Sequence, residues 1–459
     1  MKTYQDLQAT SDLPTFIMTA IREHKASMMY HIAADAEEYD RQRNVTIMKY
    51  QKVLYTLTGQ AVPDTFTANH KIASNFFNRF VTQENQYLLG NGMDLKREAN
   101  KTKLGKDFDL RLQQAGRAAL VQGVSFGFWN FDRLEVFKLT EFVPLRDEDT
   151  GALMAGIRFW QVDYDKPLRA TLYEIDGYTE YIKRPKDPKP AVHQPKRSYK
   201  RIITQSAADG VQITDGGNYS GFPIVPLWGN PLHQSELVGL REGIDCYDLI
   251  KSGFANDLDD ASLIYWTLEN SGGMDDVDLA QFVERMKTVH AAPADAEAHT
   301  VDVPYQGRTA YLERLEQDLY NDAQIVNVSS LSAAQKTATE IRAAYTPMDL
   351  KVDQYEYCVL DFLYGIFFLA GIEDEPTFTR NRIHNELEET QMVLMAAQYL
   401  DDETLLRKLP WLTPEEVQTV LDRRDESETQ RFSGDDEPAP DEEQEHPPEV
   451  NTDGEEIGT

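Results

Sequence analysis

The stretch YLERLEQDLYNDAQIVNVSSLSAAQKTATEIRAAYTPMDLKVDQYEYCVLDFLYGIFFLAG, residues 311–371, decides how the rest of the chain is read. Leu312, Leu315, Leu319 and Ala323 recur at three- and four-residue spacing, which is the period of an amphipathic helix. The run Val326-Asn327-Val328-Ser329-Ser330-Leu331-Ser332 is small, polar and rich in side chains that compete for backbone hydrogen bonds, so the helix is expected to stop there. Thr337 to Glu340 has the spacing of a capping box and restarts it. The unit is therefore helix, exposed loop, helix. Pro347, preceded by Thr346, predicts a further break near Thr346. Tyr345, Met348, Tyr355, Phe362 and Phe367 read as a core stripe.

Working outward, a long helix is expected from Ser235 to Trp266, with Leu240, Ile244, Tyr247, Phe254, Leu258 and Ala261 on one stripe. At about 1.5 Å per residue it would span roughly 50 Å. Between it and the helix at Tyr311 lies a compact segment with Gly272-Gly273, Pro293 and Pro304. Two long helices bracketing a small insertion make an out-and-back excursion from a main body.

The main body begins with helices over 10–58, started by a cap at Ser11-Asp12. A helix with one buried face then runs through Asn69 to Asn91 and ends at Gly90-Asn91-Gly92, where positive φ is tolerated. Another helix spans Asp107 to Gln122. Alternating aromatic and β-branched residues then predict an antiparallel meander over Leu134–Leu145, Leu153–Val162, Ala170–Ile175 and Tyr178–Arg184, with turns at Asp147–Gly151 and Asp176-Gly177. Residues 183–201 carry eight Lys and Arg among four prolines and read as an irregular basic loop suited to solvent or a subunit contact. Beyond Gly371, short helices are expected over Glu386–Tyr399, Asp402–Leu409 and Thr413–Arg424, capped at Asp402 and Thr413.

The 459 residues include 77 acidic and 46 basic side chains, a formal charge of -31. That balance argues against a nucleic-acid-binding surface. Fourteen acids and one base fall in the last 35 residues, a tail whose composition predicts disorder. Cys246 and Cys358 lie far apart and imply no disulfide framework. The apolar run Val359–Gly371 is too short to cross a bilayer, which needs roughly 20 residues. The histidines show no metal-ligand spacing, Asn256 to Asp260 reads as a solvated acidic helix face, and neither a nucleophile elbow nor a phosphate loop is present. No catalytic residue, metal or cofactor is expected.

Three strings in this order resemble the portal proteins of tailed bacteriophages, the long-tailed branch of Gram-positive hosts. They are NHKIASNFFNRFVTQENQYLLGN at 69–91, NPLHQSELVGLREGIDCYDLIKS at 230–252 leading into NDLDD, and NRIHNELEETQMVLMAAQYLDDETLLRKLPWLTPEEVQTVLDRRDE at 381–426. The resemblance implies an α+β fold with long stem helices, an α/β wing, a clip insertion and a helical crown. It would make 1–234 the wing, 235–267 a stem helix, 268–307 the clip, 308–328 a second stem helix, 329–382 the tunnel loop and a wing helix, and 383–425 the crown. The acidic segment 426–459 has no counterpart. It implies no bond chemistry but a homo-oligomeric ring, of twelve subunits, at the capsid vertex of the virion, assembled in the host cytoplasm. Double-stranded DNA would pass through it. Partners would be the terminase large subunit, a head-completion or adaptor protein, and the major capsid and scaffolding proteins, with no membrane. Val326, Asn327, Val328, Ser329, Ser330, Leu331, Ser332 and Lys336 would face DNA. Tyr247, Phe254, Leu258, Leu312, Leu315 and Leu319 would pack the stem. The competing reading is a capsid-assembly scaffold or adaptor without a channel, and a third is a nucleic-acid enzyme, for which the spacing shows no clustered carboxylates.

Overall fold

The computed structural model describes residues 1–55, 59–63, 68–206, 210–261, 265–268, 296–299, 305–329, 338–381, 393–395, 397–399, 401–407, 409 and 417–423. The chain divides into two compact units, Met1–Arg382 and Ile383–Thr459. In the second, Asp401 rather than Asp402 caps the helix Asp402–Arg407, its Oδ2 accepting the Thr404 N–H at 3.0 Å. The expected cap at Thr413 and the acidic tail lie outside the described residues.

The first unit opens with α1 (Tyr4–Ala9), α2 (Leu13–Lys25), α3 (Met28–Asp40) and α4 (Val45–Lys49). Asp12 caps α2 through the Thr15 N–H, as its sequence position predicts. The helical reading of 10–58 fails at its end, where β1 (Val53–Tyr55) pairs with β2 (Ala61–Pro63). Helix α5 (Phe76–Leu89) starts later than expected, because residues 70–74 are extended along another helix. The turn after α5 takes its positive φ at Gly92. β3 (Met93–Asp94), α6 (Glu98–Leu104) and α7 (Phe108–Gln122) come next.

Strand β4 (Val124–Asn130) follows α7 directly and was not expected. Its first six residues are buried, so it lacks the alternation that marks a half-exposed strand. It lies between β5 (Arg133–Lys138) and β13 (Ile224–Trp228). The predicted strand over Leu134–Leu145 is two strands, since a 3-10 turn at Leu139–Glu141 separates β5 from β6 (Phe142–Arg146). β6, β7 (Leu153–Trp160), β8 (Leu168–Glu174), β9 (Gly177–Lys183) and β10 (Ala191–Arg197) form one antiparallel sheet in sequential order. β10 overturns the irregular basic loop. It is an edge strand whose register slips around Pro195, the position where a residue without an N–H is tolerated. β11 (Lys200–Ser206) and β12 (Gly210–Gly217) make a separate hairpin.

After β13, helix α8 spans Arg241–Ala261, 21 residues or roughly 32 Å rather than the expected 32 residues. Residues 235–240 turn instead, because the Ser235 hydroxyl donates to the Val121 carbonyl at 2.6 Å and accepts the Leu237 N–H at 3.1 Å. Gly123, at φ +89, makes room for this turn, and a Cβ there would meet the backbone of Gln234. Trp266, expected on the helix, lies in β14 (Tyr265–Leu268), which pairs with β15 (Ala296–His299). Helix α9 (Tyr305–Ala323) returns, and α10 (Ala338–Ala370) runs on to β16 (Thr377–Phe378), which pairs with β3.

α10 does not break near Thr346. Ala343 and Pro347 are exposed, so the carbonyl that loses its donor at Pro347 is on the solvent side. Tyr345 and Met348, on the other side, are buried in a continuous core. That core joins α5, α7 and α10 to the near ends of α8 and α9. A second apolar cluster packs α2 on the five-stranded sheet, and a third lies among β4, β5, β13 and the Tyr173–Tyr199 pair. Among the described residues no helix is long and apolar enough to cross a membrane.

One half-buried cation ties the core to both ends of the excursion. Lys351 of α10 reaches Glu84 of α5 at 2.8 Å and Glu236, ahead of α8, at 2.7 Å. It also donates to the Ala323 carbonyl, at the end of α9, at 3.2 Å. One lysine cannot neutralise two carboxylates. Lys351 stays charged, its pKa raised by both acids against the effect of burial, while Glu84, 2% exposed, is pushed up to about 7 by burial against the pull of Lys351. An unfolded Glu titrates near 4.5, so the folded chain holds the extra proton between there and about 7, and this group's contribution to stability falls as pH rises through that window. Glu84→Gln should therefore gain stability relative to the parent between pH 5 and pH 8, by up to about 3 kcal/mol. Urea midpoints at the two pH values would show it, and a pH-independent difference would mean that Glu84 is ionised throughout.

Candidate stem and constriction loop

Helices α8 and α9 lie against each other as the two arms of the excursion. Near their outer ends the Phe254 and Tyr305 rings meet edge to face, with centroids 5.9 Å apart. Arg308 bridges the same level, its guanidinium 5.8 Å from the Phe254 ring and ion-paired with Asp257. At the inner end the arms merge with the core. Tyr247 stands edge-on to Phe76 at 4.9 Å, and Gly243 leaves room for the Leu319 side chain, which a Cβ would approach to 2.9 Å.

The expected packing residues thus divide. Leu319 packs within the chain's own core, at the inner end of the α8–α9 pair. Tyr247, Phe254, Leu312 and Leu315 are half-buried and Leu258 is exposed. This partial exposure is the condition under which contact with a neighbour can bury more.

A strap missed in the sequence holds α8 to the main body. The N–H groups of His70, Ile72 and Ser74 donate to Asn256 Oδ1 at 2.6 Å, Ser252 Oγ at 3.0 Å and Asp248 Oδ1 at 2.9 Å. The spacing matches because two extended residues advance roughly 6.6 Å and four helical residues roughly 6 Å. Asp248 also accepts from Asn44 Nδ2 at 2.9 Å; burial raises its pKa against these donors. The signal in the sequence was Asp248, Ser252 and Asn256 at four-residue intervals, a row of side-chain acceptors along one side of the helix. His70 pairs with Asp259, so the acidic run 256–260 is partly engaged and not a solvated face throughout. Among the described residues no group of three or more His, Cys, Asp or Glu could hold a metal ion. Cys246 and Cys358 are free.

At the end of α9, Gln324 turns the chain at φ +56. Ile325 and Val326 then drop into the core, and the Val326 carbonyl accepts Gln83 Nε2 at 3.1 Å. Val326 was expected to face DNA; its burial removes it from that set, because an apolar side chain next to the α5 and α10 core gains more by packing. Asn327 caps the next turn, its Oδ1 accepting the Ser329 N–H at 3.2 Å and hydroxyl at 2.5 Å. Asn327 is half-buried, and exposure begins at Val328 and Ser329. Ser330, Leu331, Ser332 and Lys336 lie outside the described residues, as does Thr337, the first residue of the expected capping box. The loop therefore leaves a rigid base, pinned by Gln83 on one side and by Lys351 on the carbonyl of Ala323.

The family model for the phage portal protein, SPP1 Gp6-like, matches residues 30–430. The portal protein of Bacillus phage SPP1 is 24% identical over 412 residues, 81% of this chain and 79% of that protein. The portal protein of Clostridium phage phiCD119 is 26% identical over 215 residues, 44% of this chain; the match spans about half of that relative, 48%. Among solved structures, the neck of an empty gene transfer agent particle gives a TM-score of 0.42 at 11% identity, covering 72% of this chain and 88% of the other. The neck of the native particle computed with C12 symmetry gives 0.39 at 10%, covering 80% and 98%. With the family model spanning most of its length, the chain belongs to the SPP1 Gp6-like family of phage portal proteins.

Proposed function

We propose that copies of this chain close into a ring at the capsid vertex and that double-stranded DNA passes through it during packaging and ejection. The observation that carries this is the strapped two-helix excursion α8–α9, leading straight into a loop anchored on the core of a portal-family chain. In this reading the main body is the wing, α8 and α9 the stem, the segment between them the clip, Val328 onward the constriction, and 383–425 the crown. The clip would meet the terminase large subunit and later a head-completion or adaptor protein, and the wing and crown the major capsid and scaffolding proteins. The chain would do no bond chemistry.

The charge fits a conduit. Each Lys or Arg on a phosphate displaces counterions and adds affinity, which in a channel is drag. A chain of formal charge -31 repels phosphate instead, over a screening length of about 8 Å at physiological salt. Twelve such copies must still associate, so the ring has to be closed by apolar contacts strong enough to offset that repulsion.

Negative-stain images of the purified protein should show end-on rings with a central hole, whereas monomers or rods would favour the scaffold reading. Phe254→Ala should leave the folded chain close to the parent in thermal stability but reduce the ring fraction on gel filtration. Leu319→Ala should instead destabilise the chain itself by about 2–5 kcal/mol. Equal ring loss with no difference in folding stability would refute this division of the stem.

For the loop, Val328→Asp together with Ser329→Asp should leave rings intact while lowering the DNA packaged per head in a complementation assay. Full packaging by that variant would place the constriction elsewhere.

A further inference from the structure

Helix α10 has a second side with large apolar residues that nothing covers among the described residues. Its buried stripe, including Met348, Tyr355 and Phe362, faces the core. On the opposite side Pro347, Leu350, Tyr357, Tyr364 and Phe368 fall at the a and d positions of one heptad frame, a seam roughly 32 Å long. Leu350 is 62% exposed, Tyr357 72%, Tyr364 50% and Phe368 65%. Exposed Gln354 and Asp361 hold the two remaining positions of the frame, and four large apolar side chains standing this far in water along one line of a helix are more than a monomeric surface usually leaves uncovered.

We infer that a neighbouring copy of this chain covers the outer face of α10 in the ring, an inference that rests on the ring reading above. Three observations favour a second copy. The four large side chains leave roughly 500 Å² in water, taking 150–250 Å² per aromatic residue, which is the larger part of the ~800 Å² per partner that a stable interface buries. The seam also runs into a surface groove of about 520 Å³, lined by Tyr364, Phe368, Arg97 and Lys103 among others. Arg97, Lys103 and Glu373 are exposed on it, while Asp374, which also lines it, is engaged by the N–H groups of Lys96 and Arg97 and by Asn100. Two exposed cations against one exposed acid leave a small local excess of positive charge toward an incoming surface from a chain with 77 acids and 46 bases. Finally, exposed Asp361 lies within the seam itself and would repel a phosphate backbone, so nucleic acid is the wrong occupant.

The test places the photo-crosslinker p-benzoylphenylalanine at Tyr364, an aromatic for an aromatic, in full-length protein whose rings are confirmed by negative stain. Irradiation should give a ladder of covalent dimers and higher multiples on a denaturing gel, with both ends of the cross-linked peptides mapping to this chain. Phe368→Ser should, in parallel, reduce the ring fraction while the thermal midpoint of the chain stays within a few degrees of the parent. Rings bearing the probe that irradiate without self-cross-links, or a probe that captures added double-stranded DNA instead, would overturn the inference and leave the ring reading standing. Absence of rings from the parent protein would overturn both.

Discussion

The ammonium of Lys351 holds together four segments that are far apart in sequence: α5, the turn ahead of α8, the last carbonyl of α9, and α10 itself. Burying a charge in a core is expensive unless it is paired and its donors are used. Here all three donors have acceptors, and two of those acceptors are the entry and exit of the stem excursion. The position of the excursion is thus set by the same group that fixes α10. A motion of α10 along its axis would break the ion pair with buried Glu84, so α10 and the α8–α9 pair cannot shift independently at low cost.

The strap of residues 70–74 supports this arrangement by other means. An extended backbone has donors left over because it is not in a sheet, and a helix offers no backbone acceptors from its middle. Asp248, Ser252 and Asn256 supply side-chain acceptors at the spacing that an extended chain requires. The result fixes α8 from Asp248 to Asp259 on one side, while Ile244 and Tyr247 meet the core at its inner end, and it leaves Phe254 and Leu258 on the side away from the strap. That side is therefore where contacts from another copy can add most.

How much of this was legible depends on how local its cause is. α2, α5, α7 and the meander β7–β9 follow from periodicity, caps and turn residues close in sequence, and their places were read nearly as found. β4 was hidden because a strand buried on both faces does not alternate. β10 was hidden because proline and lysine argue against a strand until an edge and a slipped register are available. The run through Thr346 and Pro347 looked like a helix break, but packing of Tyr345 against Tyr87 and of Met348 in the core outweighs one lost hydrogen bond on the solvent side. Lys351, Glu84 and Glu236 carried no local signal at all. Their meaning arises only when segments 267 residues apart meet.

The same distinction separates the two apolar faces of α10. Read in sequence, Tyr345, Met348, Tyr355, Phe362 and Phe367 form the core stripe, and the fold buries all five. Leu350, Tyr357, Tyr364 and Phe368, on the far side of the helix, stay exposed. In the proposed ring, an acidic chain that repels DNA along a channel would still need a short-range attraction to hold its copies together, and Coulomb repulsion screened over about 8 Å is weak beside an apolar seam in direct contact. A cohesive seam with large apolar residues, on a helix tied to the loop base by Lys351, would let acidic residues elsewhere act on DNA without opposing assembly at the contact itself.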